Sequence, residues 1–529
     1  MFDTSVPSKQ VINVNEYRDK VLGCWTGKNI GGTLGAPFEG RQAMPDVTFY
    51  TQDLKGNPAP NDDLDLQLVW LQAIEDHGLY NLTPRLLGEY WIDNITMPPN
   101  EYGACMANIA RGLYPPLSGS CNNDKWKYSN GAWIRSEIWA CLFPGAPDNA
   151  CEFAYIDACC DHCGEGIYAE LFTVSIQSAA FVVSNVRKLI EIGLSKIPKD
   201  CRVARSIKLV CELFDKGVAF KAAREAVVKD SEDLGWFQAP SNLGFVIIGL
   251  LYGKGDFGKS ICLATNCGDD TDCTAATVGA LLGIINGRSG LPEKWIEPIG
   301  DSIKTCAIDT SALHVPETLG ELAERVIRLA IAAQDENPLL QRIAEEPTCI
   351  ADDYLSTLTG SEAVEKRVWR KSPYALSFDL PYGEIVVDYE DGPFISSGEE
   401  KRFTIGIQNT KSAKSVVNVK LKLPEGWKTP SVAFASLNAQ PSLSHKTTLS
   451  IIPGDIADAL TYVVLEVRIA GRFAPSFLAL PFQLKGSVSE YPDRKADGIY
   501  QIYYDRWNSG FAKIKQARMA AAKHQKSLR

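Results

Sequence analysis

The sequence predicts two domains of different class, an all-α domain followed by an antiparallel β-sandwich. Three observations predict it. At 529 residues the chain is too long for a single hydrophobic core. Through residues 15 to 335 apolar residues recur at three- and four-residue spacing, punctuated by glycine and proline. From about residue 375 short β-branched or alternating runs such as "KRFTIGIQNT" and "TYVVLEVRIAG" alternate with turn residues. Hydrophobic residues at 45% and charged residues at 22% describe an ordinary globular protein. The net charge of −10 argues against a nucleic-acid partner, which favours a basic face. No apolar run reaches the ~20 residues of a membrane span, and the start "MFDTSVPSKQ" lacks a signal-peptide core. The expectation is a soluble, cytoplasmic protein without nucleic-acid or membrane partners, its homo-oligomerisation left open.

The helical domain is expected over 1–340. Its opening helix carries Gly23, Gly27, Gly31 and Gly35 four residues apart, so they share one face. Each costs ~1 kcal/mol relative to alanine in a helix interior, which a close helix crossing or a ligand must offset. Pro37 ends this helix and leaves Glu39 beside the crowded end. Further helices are expected at 62–77, 167–194, 202–216, 241–252, 273–286 and 316–333. An irregular linker follows at 341–374, then the sandwich at 375–486. A C-terminal extension at 487–529 has a basic tail, Lys513 to Arg529, that reads as a terminal helix. The fifteen cysteines, without a secretion signal, read as reduced thiols. "CCDHCGEG" lacks a second Cys/His pair at zinc-site spacing.

Two acidic helix starts carry the chemistry. In "PNDDLDLQLVW" Asn61 is a good N-cap, and Asp62 and Asp63 fill the first turn, with Asp62 and Asp65 sharing a face. First-turn acids also suit the helix dipole, so capping and cation binding both stand on this stretch alone. In "NCGDDTDCTAATVGALLG", Asp269, Asp270 and Asp272 crowd a second helix start. Hard cations such as Mg²⁺ take carboxylate and carbonyl-type oxygens, and the two clusters brought together would hold one or two of them.

These blocks resemble the ADP-ribosylglycohydrolase family, an all-α fold. The resemblance runs through Gly31-Gly32-Thr33-Leu34-Gly35-Ala36-Pro37-Phe38-Glu39, Asn61-Asp62-Asp63, Ser129-Asn130-Gly131, Asp161-His162 and Gly268-Asp269-Asp270-Thr271-Asp272-Cys273, in the family's order over about 300 residues. It implies a metal-dependent hydrolase of an N- or O-glycosidic bond in an ADP-ribosyl or related ribosyl substrate, free or protein-linked. It implies a Mg²⁺ set of Asn61, Asp62, Asp63, Asp270, Asp272 and Cys273, the family's own ions being two. By the same resemblance Glu39, Asp63 and Asp270 are catalytic, while Asn130, Gly131 and His162 line the substrate pocket. The chain departs from the pattern at Gly32, where the family has an aspartate, and at Asn61 and Cys273, where it has threonines. A thiol is a poor partner for Mg²⁺, and Asp65 is expected to supply an oxygen in compensation. The departures and the appended sandwich leave another furanoside, nucleoside or glycan-derived sugar as an alternative substrate. A pocket retained without turnover is a further alternative.

Overall fold

A computed structural model describes residues 10–487, apart from 98–99, 338–339, 381–382, 411–412, 431–432 and 442. The C-terminal extension and its terminal helix therefore lie outside the described residues. Helices fill the chain from Val14 to Glu336, and antiparallel strands follow from Ala375 to Leu484.

The opening helix is Val14–Gly35, capped by Asn13, whose side chain accepts from the Asn15 and Glu16 amides. Its glycine stripe packs along the Thr271–Asn286 helix, running in the opposite direction. A Cβ on Gly23, Gly27, Gly31 or Gly35 would collide with the carbonyl oxygen of Gly283, Gly279, Ala275 or Thr271 respectively. Gly279 and Gly283 face back onto Gly27 and Gly23 in the same way. The loss of helix propensity is thus offset by backbone-to-backbone packing at the centre of the domain.

Other helices follow the sequence expectation with one break. The span 167–194 divides into Glu165–Ala180 and Val186–Ser195, the second restarted by Asn185, which accepts from the Lys188 amide at 3.0 Å. An Asx cap inside a periodic run ends one helix and starts another without interrupting the apolar pattern.

The stretch expected as an irregular linker is built into the helical domain. Arg342–Ala344 pairs in parallel with Val11–Asn13. Asp352–Thr357 and the helical turns from Glu362 to Trp369 follow, and Leu358, Val364 and Val368 join the helical core. These elements are three to six residues long, too short to show a period in sequence.

The sandwich has two sheets. One has the order Phe394–Ile395, Ser476–Leu484, Leu460–Ile469, Ser415–Lys422, Phe434–Ala439; the other runs Ala375–Leu380, Gly383–Asp388, Lys401–Asn409, Ser444–Ile451. All neighbours are antiparallel except the short Phe394–Ile395 edge, which pairs in parallel. Alternate residues such as Phe403, Ile405 and Ile407 from one sheet and Val463, Leu465 and Val467 from the other form the core. Leu113, Leu117 and Cys121 of the helical domain enter the same core. Around them Asn122 and Gln483 exchange side-chain hydrogen bonds at 2.9 and 3.0 Å, and the Tyr462 hydroxyl donates to the Arg111 carbonyl. Among the described residues no helix is long and apolar enough to cross a membrane.

Candidate active site

The glycine crossing sets the end of one helix against the start of another. Thr271 donates its hydroxyl to the Gly35 carbonyl at 2.8 Å. The chain then turns through Pro37, and the Gly40 amide donates to the Asp269 carbonyl at 2.9 Å while the Asp269 amide donates to Arg41 at 2.8 Å. Glu39, half-buried, is thereby fixed beside Asp270 and Asp272. Asp269 is a brace rather than a pocket acid. Its backbone takes φ 67°, a left-handed conformation that aspartate tolerates better than most residues. Its carboxylate accepts from the Phe237 amide at 3.0 Å and the Asn242 side chain at 2.8 Å.

The second acidic start lies across the cavity. Asn61 caps Asp62–His77, its side-chain oxygen accepting from the Asp63 amide at 2.7 Å. That oxygen accepts the capping amide, and Asn61 does not line the cavity. Asp62 faces the cavity and accepts from the Tyr102 hydroxyl at 3.2 Å. Asp63 is fully buried; the Cys273 thiol donates to its Oδ1 at 3.3 Å, and the Lys28 ammonium stands 3.6 Å from its Oδ2. Lys28, 2% exposed, also lies 3.1 Å from Glu137 Oε2 and donates to the Ile134 carbonyl at 2.6 Å. Burial alone would lower its pKa, but Glu137 and Asp63 outweigh that and raise it. Asp65 does not line the cavity. Its Oδ2 accepts from the Cys306 and Ala307 amides at 2.6 and 2.7 Å, so it anchors that loop.

Between the clusters lies a cavity of about 200 Å³, lined by Glu39, Asp62, Glu101, Asn130, Gly131, Asp270, Asp272 and Cys273 among others. Asn130 donates to Asp270 Oδ2 at 2.7 Å and accepts from the Trp133 indole at 3.1 Å, which fixes its amide. Gly131 lies so close to Glu101 that a Cβ would strike its carboxylate, and its amide donates to Glu101 Oε1 at 3.1 Å. His162 is fully buried and does not line the cavity. Its ring bridges Asp161 at 2.8 Å and Ser129 Oγ at 3.2 Å, and Asp161 is in turn clamped by Arg135. The correction has a simple cause: a histidine beside its own aspartate is drawn into a buried ion-pair network behind the wall.

Two groups of three ligand atoms, each within 4.8 Å of one another, share Asp272: Glu39/Asp270/Asp272 and Asp63/Asp272/Cys273. Burial, and then Glu39, holds the Asp270 and Asp272 carboxyls well above the usual carboxylate range. Burial pushes Asp63 up to about 7 against the pull of Lys28. Asp272 Oδ1 and Asp63 Oδ2 are buried without a hydrogen-bond partner. Such orphan oxygens in a crowded anionic pocket fit the donor set of a hard cation.

Glu101, Glu137 and Lys28 escaped sequence reasoning. A signal existed for Lys28, since it is the lone charge between Lys20 and Glu39 in a helix otherwise built for burial. Glu101 and Glu137 stand in no acidic cluster, and only the fold brings them in.

A family model described as ADP-ribosylglycohydrolase matches residues 13–336, which include both acidic helix starts and every residue lining the cavity. ADP-ribosylarginine hydrolase Tri1 of Pseudomonas putida (strain GB-1) is 41% identical over 49 residues. That likeness covers 9% of this chain and spans only 13% of the relative's length. With the family model matched over more than half of its length, the chain belongs to the ADP-ribosylglycohydrolase family.

Proposed function

We propose that the protein is a divalent-metal-assisted hydrolase that cleaves the glycosidic bond of an ADP-ribosyl or related ribosyl substrate. The convergence of Glu39, Asp62, Asp270 and Asp272 on one cavity, with the buried Asp272 Oδ1 left without a hydrogen-bond partner, carries the reading. Glu39, Asp270 and Asp272 would hold Mg²⁺, which supplies fixation of sugar hydroxyls and Lewis-acid polarisation. Glu39 at the half-buried rim would also handle a proton as the oxocarbenium-like transition state forms. Asn130 and the Gly131 backbone would orient the sugar. The cavity volume of about 200 Å³ falls below the ~300–1,000 Å³ of pockets that surround drug-sized ligands, so the site would take the reacting sugar and leave the rest of a nucleotide outside.

The matched relative's name makes ADP-ribosylated arginine the first substrate to test. The purified protein, with Mg²⁺ or with EDTA, is incubated with arginine-ADP-ribosylated protein and with aryl ribofuranosides. Mg²⁺-dependent release that is lost in Glu39→Gln and Asp272→Asn is expected. Turnover of neither substrate, or release indifferent to both variants, would sink the reading. The small cavity and the absence of an acid at Gly32 favour a second reading, a furanosidase of smaller sugars. Release from aryl ribofuranosides alone would select it.

A further inference from the structure

We infer that the acidic centre is built for one divalent ion, the ammonium of Lys28 standing where a second countercharge would be needed; this rests on the metal-assisted reading above.

Three observations carry it. First, Asp63 in the inner triad of Asp63, Asp272 and Cys273 already has a thiol donor and a cation beside it. The Cys273 thiol donates to Asp63 Oδ1 at 3.3 Å, and Lys28 Nζ lies 3.6 Å from Asp63 Oδ2. Lys28 is tethered there by the Ile134 carbonyl at 2.6 Å and by Glu137 at 3.1 Å, on a helix locked by its glycine crossing. A divalent ion bound to Asp63 would stand a few ångströms from this buried ammonium, where like charges are poorly screened. Thiols are also weak ligands for hard cations.

Second, Gly32 presents no acid. A Cβ placed there would run into the side-chain Nδ2 of Asn61. Since Asn61 Oδ1 is turned to the Asp63 amide, the group facing Gly32 is an N–H donor, which cannot ligate a cation. Beside the Asp63 and Asp272 carboxylates, the inner side of the cluster therefore presents a cation, a thiol and an amide N–H.

Third, the outer triad of Glu39, Asp270 and Asp272 is all carboxylate, and Asp272 carries a buried Oδ1 without a hydrogen-bond partner. An oxygen-only set at the cavity rim is the place for a single hard ion.

The test counts ions bound by the full chain. Mn²⁺, a paramagnetic stand-in for Mg²⁺, is titrated into EDTA-stripped protein, with free Mn²⁺ read by electron paramagnetic resonance. One ion per chain is expected. Two ions in wild type would overturn the inference and leave the hydrolase reading standing, whereas no ion would overturn the metal reading and the inference with it. Asp63→Asn should still bind one ion, with affinity within about threefold of wild type, and Glu39→Gln should weaken it by at least about tenfold. Loss of the ion in Asp63→Asn would show that the inner triad holds it. Lys28→Met, which frees Asp63, should take up a second Mn²⁺ with a broadened, spin-coupled signal, and Lys28→Arg should stay at one. A folded Lys28→Met that binds one ion would overturn the role of the ammonium. If that variant does not fold, the Asp63→Asn count decides alone.

Discussion

Asp272, 5% exposed, shares its surroundings with Glu39, Asp270, Asp63 and Asp62, and burial followed by these charges raises its carboxyl well above the usual range. Asp272→Asn should therefore lower turnover by ~10²-fold or more, yet stabilise the metal-free protein in urea denaturation by relieving repulsion. A less stable metal-free variant would show that the carboxylate is satisfied by protein groups instead. The pH dependence follows from Asp63 and Asp65, each pushed up to about 7 by burial. An unfolded aspartate loses its proton near pH 4, so between about pH 4 and about pH 7 the folded chain binds more protons than the unfolded one. Stability in EDTA should fall as pH rises through that window, and the raised Asp270 and Asp272 carboxyls add to the fall. Saturating Mg²⁺ should flatten much of the fall, leaving the part due to raised carboxyls outside the cavity, such as Asp65, which faces the Cys306 and Ala307 amides, and Asp269. Denaturant midpoints at several pH values, with and without Mg²⁺, check this. Cys273→Thr keeps a donor of similar size toward Asp63 Oδ1, and on the one-ion reading should leave Mg²⁺ affinity within about twofold by calorimetry; clear tightening would make residue 273 a ligand.

At the scale of elements, the pairing of Val14–Gly35 with Thr271–Asn286 sets the site. Each glycine in the stripe meets a carbonyl across the interface, so a single methyl cannot be accommodated by a rotamer change. Gly27→Ala is expected to cost roughly 1–3 kcal/mol or more through forced separation of the two backbones. Because the shift moves Glu39 relative to Asp270, ion affinity should fall together with the melting temperature. A variant that melts lower but binds Mn²⁺ like wild type would show that the acidic helix starts hold their own geometry. The Asx cap at Asn185 makes the contrasting case, a local signal that divides one periodic run into two helices.

For the whole molecule, the sandwich acts as a cap on the helical domain through Leu113, Leu117 and Cys121, which are buried in its core. A chain ended after Lys371 should expose these residues and lose solubility or melt several degrees lower; unchanged behaviour would show that the docking contributes little. The short elements at 342–369 are tied to the helical core, so trypsin should cut first at the exposed Arg370 or Lys371 rather than earlier in that stretch. Mass analysis of the first fragments reads the result.

The order of fold classes, the glycine stripe and both acidic helix starts were legible in sequence, because helical periodicity, N-caps and crowded carboxylates are local properties of a few consecutive residues. The family resemblance likewise followed from short ordered blocks. Tertiary structure alone decided which acids share the cavity. Asp62, Asp270 and Asp272 face it, whereas Asp65 and Asp269, from the same two clusters, turn to the backbone amides of Cys306, Ala307 and Phe237. It also decided that Asn61 is a cap, that His162 stands behind the wall, and that Lys28 and Glu101 belong to the site. Direction of a side chain depends on which helix packs against it, and the packing partner of Gly35 lies more than two hundred residues away at Thr271.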